Sequence, residues 1–400
     1  MQFNNSSTLF ACYATASQHP VYLYEKVEYP LDIIGYEAGS DGGYYLIASP
    51  VTVNPANVEG MTAGEYDLYS FDQAEADEWR NYKVNAFNLE PGKGYLYAKQ
   101  ATEPEEVFHF ELTGTPYNGE PIRLSKSDNV DFPGWNLVGN PFGQTAYIDR
   151  DFYVMKSDGS EIIESETDEI AVMQGIFVIA ANDGEELTFS TEAPTTTDGK
   201  IVMNVSNARR SVVDRATVRF GEGRTLPKFM FNPNSTKLYI DQNGEDFAVV
   251  RSIDENATPV SFHAAENGTY TLSINAENVE MEYLHLLDNM TGADVDLLAT
   301  PSYTFEARTS DYANRFKLVY ATTTDVNENN VEPFAFFNGS EWVINNEGEA
   351  TLQVIDINGR MLSNETVNGN ANVNINATSG IYMLRLVNGE SVKTQKVVVK

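Results

Sequence analysis

The last seventy residues of the chain are short strands separated by tight turns, and this pattern constrains the fold most. Two Asn-Gly pairs, Asn358-Gly359 and Asn388-Gly389, each lie between runs of alternating apolar and polar residues. Both residue types tolerate the positive φ of a type I′ turn, so such a pair is a strong hairpin signal. Alternation with period two turns one side of each strand toward a core. Residues 331–400 are therefore predicted to form a small antiparallel sandwich of seven strands or fewer. Its predicted core consists of Trp342, Val343, Leu352, Val354, Ile357, Ile375, Ile381, Met383, Leu386 and Val398.

The same segment resembles a known family of export signals. Four elements carry the resemblance through their order and spacing: an early tryptophan, an Asp-x-Asn-Gly-Arg turn, a Gly-x-Tyr strand and a lysine-rich end. Their residues are Trp342, Asp356, Gly359, Arg360, Gly380, Tyr382, Lys393, Lys396 and Lys400. The segment is similar to the type A C-terminal sorting domain of type IX secretion cargo, although Thr378 stands where many relatives have proline.

The resemblance implies a location and a set of partners. It implies export across the outer membrane of a Gram-negative bacterium by the type IX secretion machinery. It also implies removal of the domain by a sortase-like protease and attachment of the cargo to surface glycolipid. A small immunoglobulin-like domain with no sorting role is the alternative interpretation of the same strands.

The composition fits an extracellular protein. The chain has 26 basic and 58 acidic residues, so its net charge is −32. Such a charge repels nucleic acid and anionic membranes, and we expect neither as a partner. The single cysteine, Cys12, rules out an intrachain disulfide, so apolar burial must stabilise the fold. With 42% hydrophobic residues, 400 residues are enough for two or three cores, and we expect a monomer.

The beginning of the sequence predicts a missing upstream part. It lacks the basic and apolar regions of a signal peptide, which type IX cargo needs to cross the inner membrane. Thr8–Thr15 and Val21–Lys26 are strand-like, but the next stretch offers them no partners. We therefore expect residues 1–28 to be the closing strands of a truncated upstream β module, and the chain to be the C-terminal portion of a longer protein.

Residues 29–193 contain an internal duplication. Gly43–Pro50 aligns with Gly134–Pro141 at an offset of 134 − 43 = 91, and Gly94–Ala98 aligns with Gly175–Ile179 at 175 − 94 = 81. Two copies are too few for a solenoid. We predict one β-sandwich made of two equivalent halves, whose aromatic residues pack against each other.

One strand of this duplication invites two interpretations. Trp135, Leu137 and Phe142 are apolar and periodic, which predicts a buried core, and Asn136 should face the other side of the sheet. The other interpretation places Trp135 on a carbohydrate-binding platform. We favour the core, because the neighbouring positions are apolar.

A second β module is predicted over residues 199–321. Glu192–Gly199 is a short, polar, turn-rich linker, and about eight strands with regular turn signals follow it. They favour a jelly-roll or Greek-key sandwich, and Tyr283–Leu298 resembles a module that precedes the sorting domain in related surface proteins. Ala321–Asn330 is polar and suits a cleavage site before the sorting domain.

Signatures of catalysis are mostly absent from the sequence. The histidines do not occur at metal-binding spacing, and no nucleophile elbow or phosphate-binding loop is present. The four histidines are His19, His109, His263 and His285. With 58 acidic residues, a glycosidase pair of carboxylates cannot be identified from sequence. We expect that the chain is not an enzyme and binds no cofactor.

Calcium is the one cation that the sequence brings into consideration. Asp288, Asp294 and Asp296 supply clustered oxygen ligands, as does Asp241–Asp246, and hard cations require such ligands. Neither cluster has the spacing of a helix–loop–helix calcium site, so we favour solvated turns.

The sequence therefore predicts an all-β chain of tandem antiparallel sandwiches that ends in a small immunoglobulin-like sandwich. The expected function is a non-catalytic, adhesin-like stalk or interaction region that binds glycan or host protein, followed by a secretion signal. One alternative is the carbohydrate-binding region of a polysaccharide-degrading surface enzyme, with Tyr44, Tyr45 or Trp79 as its platform. Another is a hydrolase with its site in a sandwich cleft. Exposed coplanar rings would favour the first alternative, and converging carboxylates the second.

Overall fold

The computed structural model describes residues 2–4, 9–11, 29–40, 43–128, 130–195, 198–209, 211–252, 257–322, 334–337, 341–346, 348–357, 359–374, 378–388 and 391–399. Strands make up 53% of the chain, which confirms the predicted all-β class. The described residues contain no α-helix, and Pro55–Asn57 forms a 3-10 turn. None of them belongs to a helix long and apolar enough to cross a membrane.

The chain divides into two compact units, Met1–Thr323 and Thr324–Lys400. The first unit begins with a short hairpin in which β1 (Gln2–Asn4) pairs antiparallel with β2 (Leu9–Ala11). The rest of the predicted upstream segment 1–28 lies outside the described residues.

The first half of the duplication forms a four-stranded sheet with a two-stranded cover. Its strands are β3 (Tyr29–Ile34), β4 (Tyr44–Ala48), β5 (Val51–Thr52), β6 (Tyr66–Phe71), β7 (Trp79–Asn81), β8 (Gly94–Lys99) and β9 (Val107–Leu112). The sheet has the order β4-β8-β6-β7, and β3 pairs with β9. A short strand, β10 (Thr115–Pro116), then pairs with β5.

The second half repeats this arrangement. Its strands are β11 (Ile122–Arg123), β12 (Trp135–Gly139), β13 (Tyr153–Met155), β14 (Ile162–Glu164), β15 (Gly175–Ile179) and β16 (Glu186–Leu187). The sheet has the order β12-β15-β13-β14, and β11 pairs with β16. In both halves the first strand is at the edge, the last lies next to it, and the two middle strands complete the sheet.

Register confirms that the two repeated segments occupy equivalent strands. Ala48 pairs with Gly94 in one sheet, and Gly139 pairs with Gly175 in the other. The contacts between the halves are reciprocal as well. The Ala48 N–H donates to the Met173 carbonyl at 2.7 Å, and the Gly139 N–H donates to the Gly92 carbonyl at 3.1 Å. Each half therefore makes the same backbone contact with the other, as expected for two halves with pseudo-two-fold symmetry.

The close approach of the two halves requires glycine at the first residue of β8 and of β15. A Cβ atom on Gly94 would lie 2.5 Å from the Val138 carbonyl oxygen, and one on Gly175 would lie 2.8 Å from the Ile47 carbonyl oxygen. Neither backbone oxygen can move away without disturbing its own strand. A glycine at both positions lets the halves meet at backbone distance.

Each sheet has its own core on one face. The first half buries Ile33, Tyr95 and Tyr97 under its β3–β9 cover, and the second half has a separate core under β11–β16. The prediction that the aromatic residues of the halves pack against each other is therefore only partly correct. Phe71 and Phe177 meet across the halves at 5.1 Å, but Tyr95 and Tyr97 pack within their own half, because the cover supplies a nearer apolar surface.

The second module is one continuous sheet folded over a core. Its strands are β17 (Lys200–Ser206), β18 (Val212–Phe220), β19 (Leu226–Pro227), β20 (Lys237–Gln242), β21 (Glu245–Ser252), β22 (Ala257–His263), β23 (Gly268–Glu277), β24 (Met281–Asp288), β25 (Ala293–Asp296), β26 (Ser302–Ala307) and β27 (Phe316–Thr322). The path runs β25-β24-β27-β22-β20-β21-β18-β17-β23-β26, with β19 on β21. Since β20 pairs with β21 near its end and with β22 near its start, it joins the two layers.

One strand pair departs from the predicted antiparallel pattern. β18 and β21 run parallel, with Val218 opposite Val250. The two strands can run parallel because they are not joined directly. The chain passes through β19 and β20 before it returns along β21 in the direction of β18. The sandwich core lies between the two layers and includes Ile201, Phe262 and Phe316, each at most 3% exposed.

The second unit is a seven-stranded sandwich among its described residues. Its strands are β28 (Ala335–Phe337), β29 (Trp342–Ile344), β30 (Glu349–Asp356), β31 (Met361–Asn368), β32 (Ala371–Val373), β33 (Gly380–Asn388) and β34 (Ser391–Val399). The sheets have the orders β28-β29-β32 and β31-β30-β33-β34. The turns predicted at the two Asn-Gly pairs connect β30 with β31 and β33 with β34, and Asn358, Gly389 and Glu390 lie outside the described residues.

The predicted core of this unit is only partly correct. The structure buries Trp342, Leu352, Val354 and Leu386, as the sequence predicts. Ile357 and Met383 are instead 60% and 39% exposed, and Val343 and Ile381 are half-buried.

Strand parity explains the error in β33. Tyr382, Leu384 and Leu386 point into the core, so Ile381 and Met383 face the other way. Ile375 and the side chain of Val398, also predicted for this core, lie outside the described residues.

Candidate functional site

The four elements that carry the resemblance to sorting domains, here called the sorting motif, contain residues that build the fold of the second unit. The Trp342 side chain is fully buried, with its ring 5.1 Å from that of Phe337 and 5.6 Å from that of Tyr382. The Tyr382 hydroxyl donates to the Thr378 carbonyl at 2.8 Å. Gly380 begins β33 opposite Val399. Trp342 and Tyr382 thus join the two sheets at the centre of the sandwich.

The Asp-x-Asn-Gly-Arg element closes on itself as a hairpin loop. The Arg360 N–H donates to Asp356 Oδ1 at 2.9 Å, and its Nε donates to Oδ2 at 3.2 Å. The Gly359 N–H donates to the Asp356 carbonyl at 2.9 Å, and Gly359 has a φ of +75°. These bonds explain why the turn needs a carboxylate at its start and a glycine near its end.

The lysines of the motif lie on the last strand. Lys393 and Lys396 are exposed on β34, where Lys396 stands opposite Met383. Arg385 is exposed two residues further along β33. Lys400 lies outside the described residues. The motif therefore combines buried residues that define the fold with basic side chains on its surface.

In the first unit, the duplicated region and the second module share a core. Trp135, Tyr153 and Phe177 of the second half pack with Phe229 and Val249 of the second module. The centroids of the Trp135 and Phe229 rings are 4.4 Å apart. Trp135 is 6% exposed, Leu137 is buried and Phe142 is half-buried, which confirms their interpretation as core residues. Asn136 is half-buried on the other side and accepts from the Ser125 N–H at 2.9 Å.

Ion pairs cross the same boundary. Arg215 of β18 donates to the Glu164 carbonyl at 2.6 Å and to Glu166 Oε2 at 3.0 Å. Arg219 donates to Asp168 Oδ1 at 2.7 Å, and its Nε lies 2.6 Å from Asp151 Oδ1 in an ion pair that lacks hydrogen-bond alignment. In each pair the base comes from the second module and the acid from the duplicated region.

Burial raises the pKa values of two acidic side chains at this boundary. Burial raises the pKa of Glu164 to about 8, against the opposing effect of Arg215. Burial likewise raises the pKa of Asp151, although Arg219 and Arg251 lower it. Glu164 is 2% exposed, and its burial favours the protonated form.

A cleft of about 380 Å³, which we call the junction cleft, opens beside this boundary. Its lining residues come from both halves and from the second module: Tyr44, Tyr69, Trp79, Leu96, Met155, Gly159, Ser160, Glu161, Ile162, Phe229, Phe231, Asn232 and Lys237. Tyr44 and Phe231 are 40% and 36% exposed. The Trp79 ring meets the Phe231 ring edge-on at 5.7 Å and 80°. The cleft is therefore aromatic on its walls and open to solvent.

A comparison of the two halves explains why the cleft opens at Tyr44 of the first half and not at the equivalent Trp135 of the second half. Tyr44 occupies the position in β4 that Trp135 occupies in β12, because both stand at the start of the repeated strand. Phe229 covers Trp135, whereas Tyr44 stays open. Of the three predicted platform residues, the structure brings Tyr44 and Trp79 together in the cleft. Tyr45 packs against the core of the first half.

Polar side chains complete the junction cleft. Lys237 is 5% exposed, and no other described residue forms an ion pair or hydrogen bond with its ammonium group. Burial raises the pKa of Glu161, and the nearby Lys237 lowers it. Ser160 and Asn232 also line the cleft. Glu161 is the one carboxylate among the lining residues, so converging carboxylates are absent from this cleft.

The structure gives each calcium candidate a protein partner. Asp288 is 1% exposed and pairs with Arg315, with an oxygen–nitrogen distance of 2.9 Å. Asp294 Oδ1 lies 2.7 Å from His285 Nδ1, and Asp296 Oδ1 accepts from the Leu298 N–H at 2.9 Å. The other cluster, Asp241–Asp246, is the β20–β21 hairpin turn, with Asn243 and Gly244 at positive φ.

The histidines are dispersed as well. His109 Nδ1 lies 2.6 Å from Asp32 Oδ1 on the surface of the first half, and His263 lies opposite Lys237 in the second module. His19 and Cys12 lie outside the described residues. Across the part of the chain that the structure describes, no three His, Cys, Asp or Glu side chains are grouped to hold a metal ion.

Comparisons with known proteins identify the C-terminal segment. Residues 340–400 match the family described as "Secretion system C-terminal sorting domain", which confirms the predicted resemblance. No curated protein matches the chain. Among solved structures, a chain described as "Biofilm associated protein - BSP domain" is 10% identical, with a TM-score of 0.15. The match covers 93% of this chain and 63% of that chain, and it is too weak to indicate function.

Proposed function

We propose that residues 29–322 are the non-catalytic interaction region of a surface protein. Residues 340–400 are a type IX secretion sorting domain, so the protein is secreted to the cell surface of a Gram-negative bacterium and handled by the type IX machinery. The interaction region is the part that this machinery delivers. We further propose that a sortase-like protease removes the sorting domain within 321–330 and that the rest is joined to surface glycolipid.

The observation that supports an interaction region is its construction as one body. The duplicated region and the second module share the core around Trp135 and Phe229 and are joined by the Arg215 and Arg219 ion pairs. Partly buried, multiply hydrogen-bonded guanidinium groups hold their orientation, because moving them would strand a charge away from water. A rigid body of this kind presents its surface in a fixed geometry, which lowers the entropy lost on binding.

Binding without turnover is the test of this role. The purified full chain is applied to an array of neutral oligosaccharides and to immobilised host extracellular-matrix proteins. Each retained ligand is then incubated with the chain and analysed by mass spectrometry. The proposal expects retention with unchanged ligand masses. Shortened oligosaccharides or peptides would instead show a hydrolase, and no retention on either surface would contradict an interaction role.

The junction cleft favours a second, more specific candidate, the binding of a neutral oligosaccharide. Sugar rings place C–H groups against the faces of aromatic side chains and offer hydroxyl groups to charged and amide side chains. Tyr44, Trp79 and Phe231 supply the first kind of contact, and Lys237 and Glu161 supply the second. The volume of about 380 Å³ lies within the range of small-molecule sites. The Trp79 and Phe231 rings are not coplanar, so the cleft would hold a sugar between rings rather than on a flat platform.

A pair of matched substitutions tests this candidate. Trp79→Ala removes the central ring of the cleft, and Tyr312→Ala removes an aromatic residue that is 52% exposed and does not line it. Any oligosaccharide retained by the native chain should bind Trp79→Ala at least tenfold more weakly and Tyr312→Ala unchanged, as measured by calorimetry. Equal binding by all three chains would place the sugar site outside the cleft.

A further inference from the structure

A lysine and an aspartate meet inside the second module, where no water reaches them. Lys228 Nζ lies 2.7 Å from Asp214 Oδ2, and their side chains are 0% and 1% exposed. The Leu238 N–H donates to the same Oδ2 at 2.7 Å. Nζ also donates to the Arg215 carbonyl at 2.9 Å. The amine and the carboxyl group are therefore held in contact by fixed backbone partners.

The duplicated region positions this pair from outside the module. The Tyr153 hydroxyl donates to the Pro227 carbonyl at 3.2 Å and accepts from the Phe229 N–H at 2.9 Å. It therefore holds the backbone on both sides of Lys228. Phe229 and Leu226 belong to the shared apolar core, which closes this region to solvent. Such fixed proximity gives an intramolecular reaction a very high effective concentration.

Burial in the pocket favours a neutral amine. Burial lowers the pKa of Lys228, although Asp214 raises it, so the amine is easier to deprotonate than in water. Glu164 belongs to the same buried surroundings, since it stands opposite Tyr153 and its carbonyl accepts from Arg215, whose own carbonyl accepts from Lys228. Burial also raises the pKa of Glu164 to about 8, which favours its neutral form. A buried ion pair is also costly to desolvate, whereas a neutral amide is not.

We propose that Lys228 and Asp214 condense into an intramolecular amide bond, an isopeptide cross-link. The lone pair of the neutral Nζ attacks the Asp214 Cγ, and the carboxyl C–O bond breaks. The departing oxygen leaves as water with one hydrogen from the amine and one from the carboxyl group. Overall, one ammonium and one carboxylate become one amide and one water. The step needs no oxidant, metal or cosubstrate.

The cross-link would constrain the part of the module that meets the duplicated region. It closes a loop from Asp214 in β18 to Lys228 just beyond β19, and both strands pair with β21. With one cysteine, the chain has no means of making an intrachain disulfide. An amide gives a comparable constraint that reducing conditions do not break.

Mass spectrometry of the full chain tests the proposal directly. The denatured native chain should weigh one water less than its sequence requires. Tryptic digestion should yield residues 211–215 joined to residues 225–237, with no cleavage after Lys228. Lys83 and Asp67 are a matched internal control, because their Nζ–Oδ1 distance is 2.8 Å but both side chains are at least 35% exposed. Their peptides should be unlinked, since water solvates both charges.

Two variants extend the test. Asp214→Asn should lose ammonia instead of water and give a product with the same mass as the cross-linked native chain, whereas Asp214→Ala should show its full mass. A native chain of full mass, with a separate peptide ending at Lys228, would overturn the proposal. A mass loss that maps to any other pair of peptides would overturn it as well.

Discussion

At the residue scale, Trp342 is one of the largest fully buried side chains, and it lies in the core of the sorting domain. Its side chain is fully buried between the two sheets, and its ring contacts those of Phe337 and Tyr382. Its Nε1 has no hydrogen-bond partner among the described residues. The residue therefore acts through its volume and apolar surface rather than through its polar atom.

Trp342→Ala should unfold the sorting domain and leave the first unit folded. Removing a buried tryptophan costs about 3–5 kcal/mol, which is comparable to the whole stability of a domain of this size. Calorimetry of the full chain should lose the transition of the second unit and keep that of the first. Ile357→Ala is the control, because Ile357 is 60% exposed and should change neither transition. An unchanged second transition in Trp342→Ala would contradict the burial seen here.

Glu164 should make the stability of the first unit depend on pH. Burial raises its pKa from 4.5 to about 8, so the folded chain keeps a proton that the unfolded chain releases. The free energy of unfolding should therefore fall as the pH rises from about 5 to about 8, by at most about 1.4 kcal/mol per pH unit. Below and above this window, Glu164 adds no further pH dependence.

Urea unfolding of the native chain and of Glu164→Gln at pH 5 and pH 8 measures this effect. Glutamine stays neutral in both states, so the variant should lose part of the difference between the two pH values. Glu169→Gln, at an exposed position in the same region, should keep the native difference. Identical pH dependence in all three chains would show that Glu164 is ionised in the folded state.

At the scale of the strand, the repeated glycines determine how closely the two halves approach. Gly175→Ala places a methyl group 2.8 Å from the Ile47 carbonyl oxygen, and the strands must separate to admit it. We expect a loss of about 1–3 kcal/mol, as for other overpacked sites. Thermal unfolding of the first unit reports this loss.

Gly268→Ala is the matched control for that substitution. Gly268 also begins a strand, but no atom lies within 4 Å of the position of its Cβ, and its φ is not positive. Alanine should therefore be neutral or slightly stabilising there. Equal destabilisation by the two substitutions would contradict the close approach at Gly175.

Strand-level features could be predicted from the sequence where they are local. The repeat of Gly43–Pro50 in Gly134–Pro141 predicts equivalent strands, because the glycine and proline mark the same ends of the same alternating run. In β33, the choice between Ile381 and Tyr382 as the inward residue is not local, since both faces carry apolar side chains. The facing sheet decides it through Trp342.

The candidate sites could be predicted only in part, because they combine distant residues: the sequence indicated Tyr44 and Trp79 but not Phe231. The junction cleft joins Tyr44, Trp79 and Phe231 from three parts of the first unit. One local signal was available for the boundary. Arg215 and Arg219 are four residues apart in a strand and therefore point to the same side, which predicts an acidic surface opposite. Their partners could not be identified among 58 acidic residues.

At the scale of the whole molecule, the sorting domain and the proposed interaction region belong to different compact units. The first unit contains the shared core, the buried ion pairs and the junction cleft. The second unit is a self-contained sandwich whose motif residues build its core and display basic side chains. This arrangement suits the proposed removal of the sorting domain after export.

The most direct measurement of this account is the location of a chain without its last five residues. Deleting residues 396–400 removes the ladder partners of Gly380–Met383 and should unfold the signal. The full and shortened chains are expressed behind an inner-membrane export signal in a host with type IX secretion and located by surface antibody labelling and fractionation. We expect the full chain at the surface and the shortened chain in the periplasm, with residues 29–322 still resistant to protease. Equal surface labelling of both chains would contradict the sorting role of the second unit.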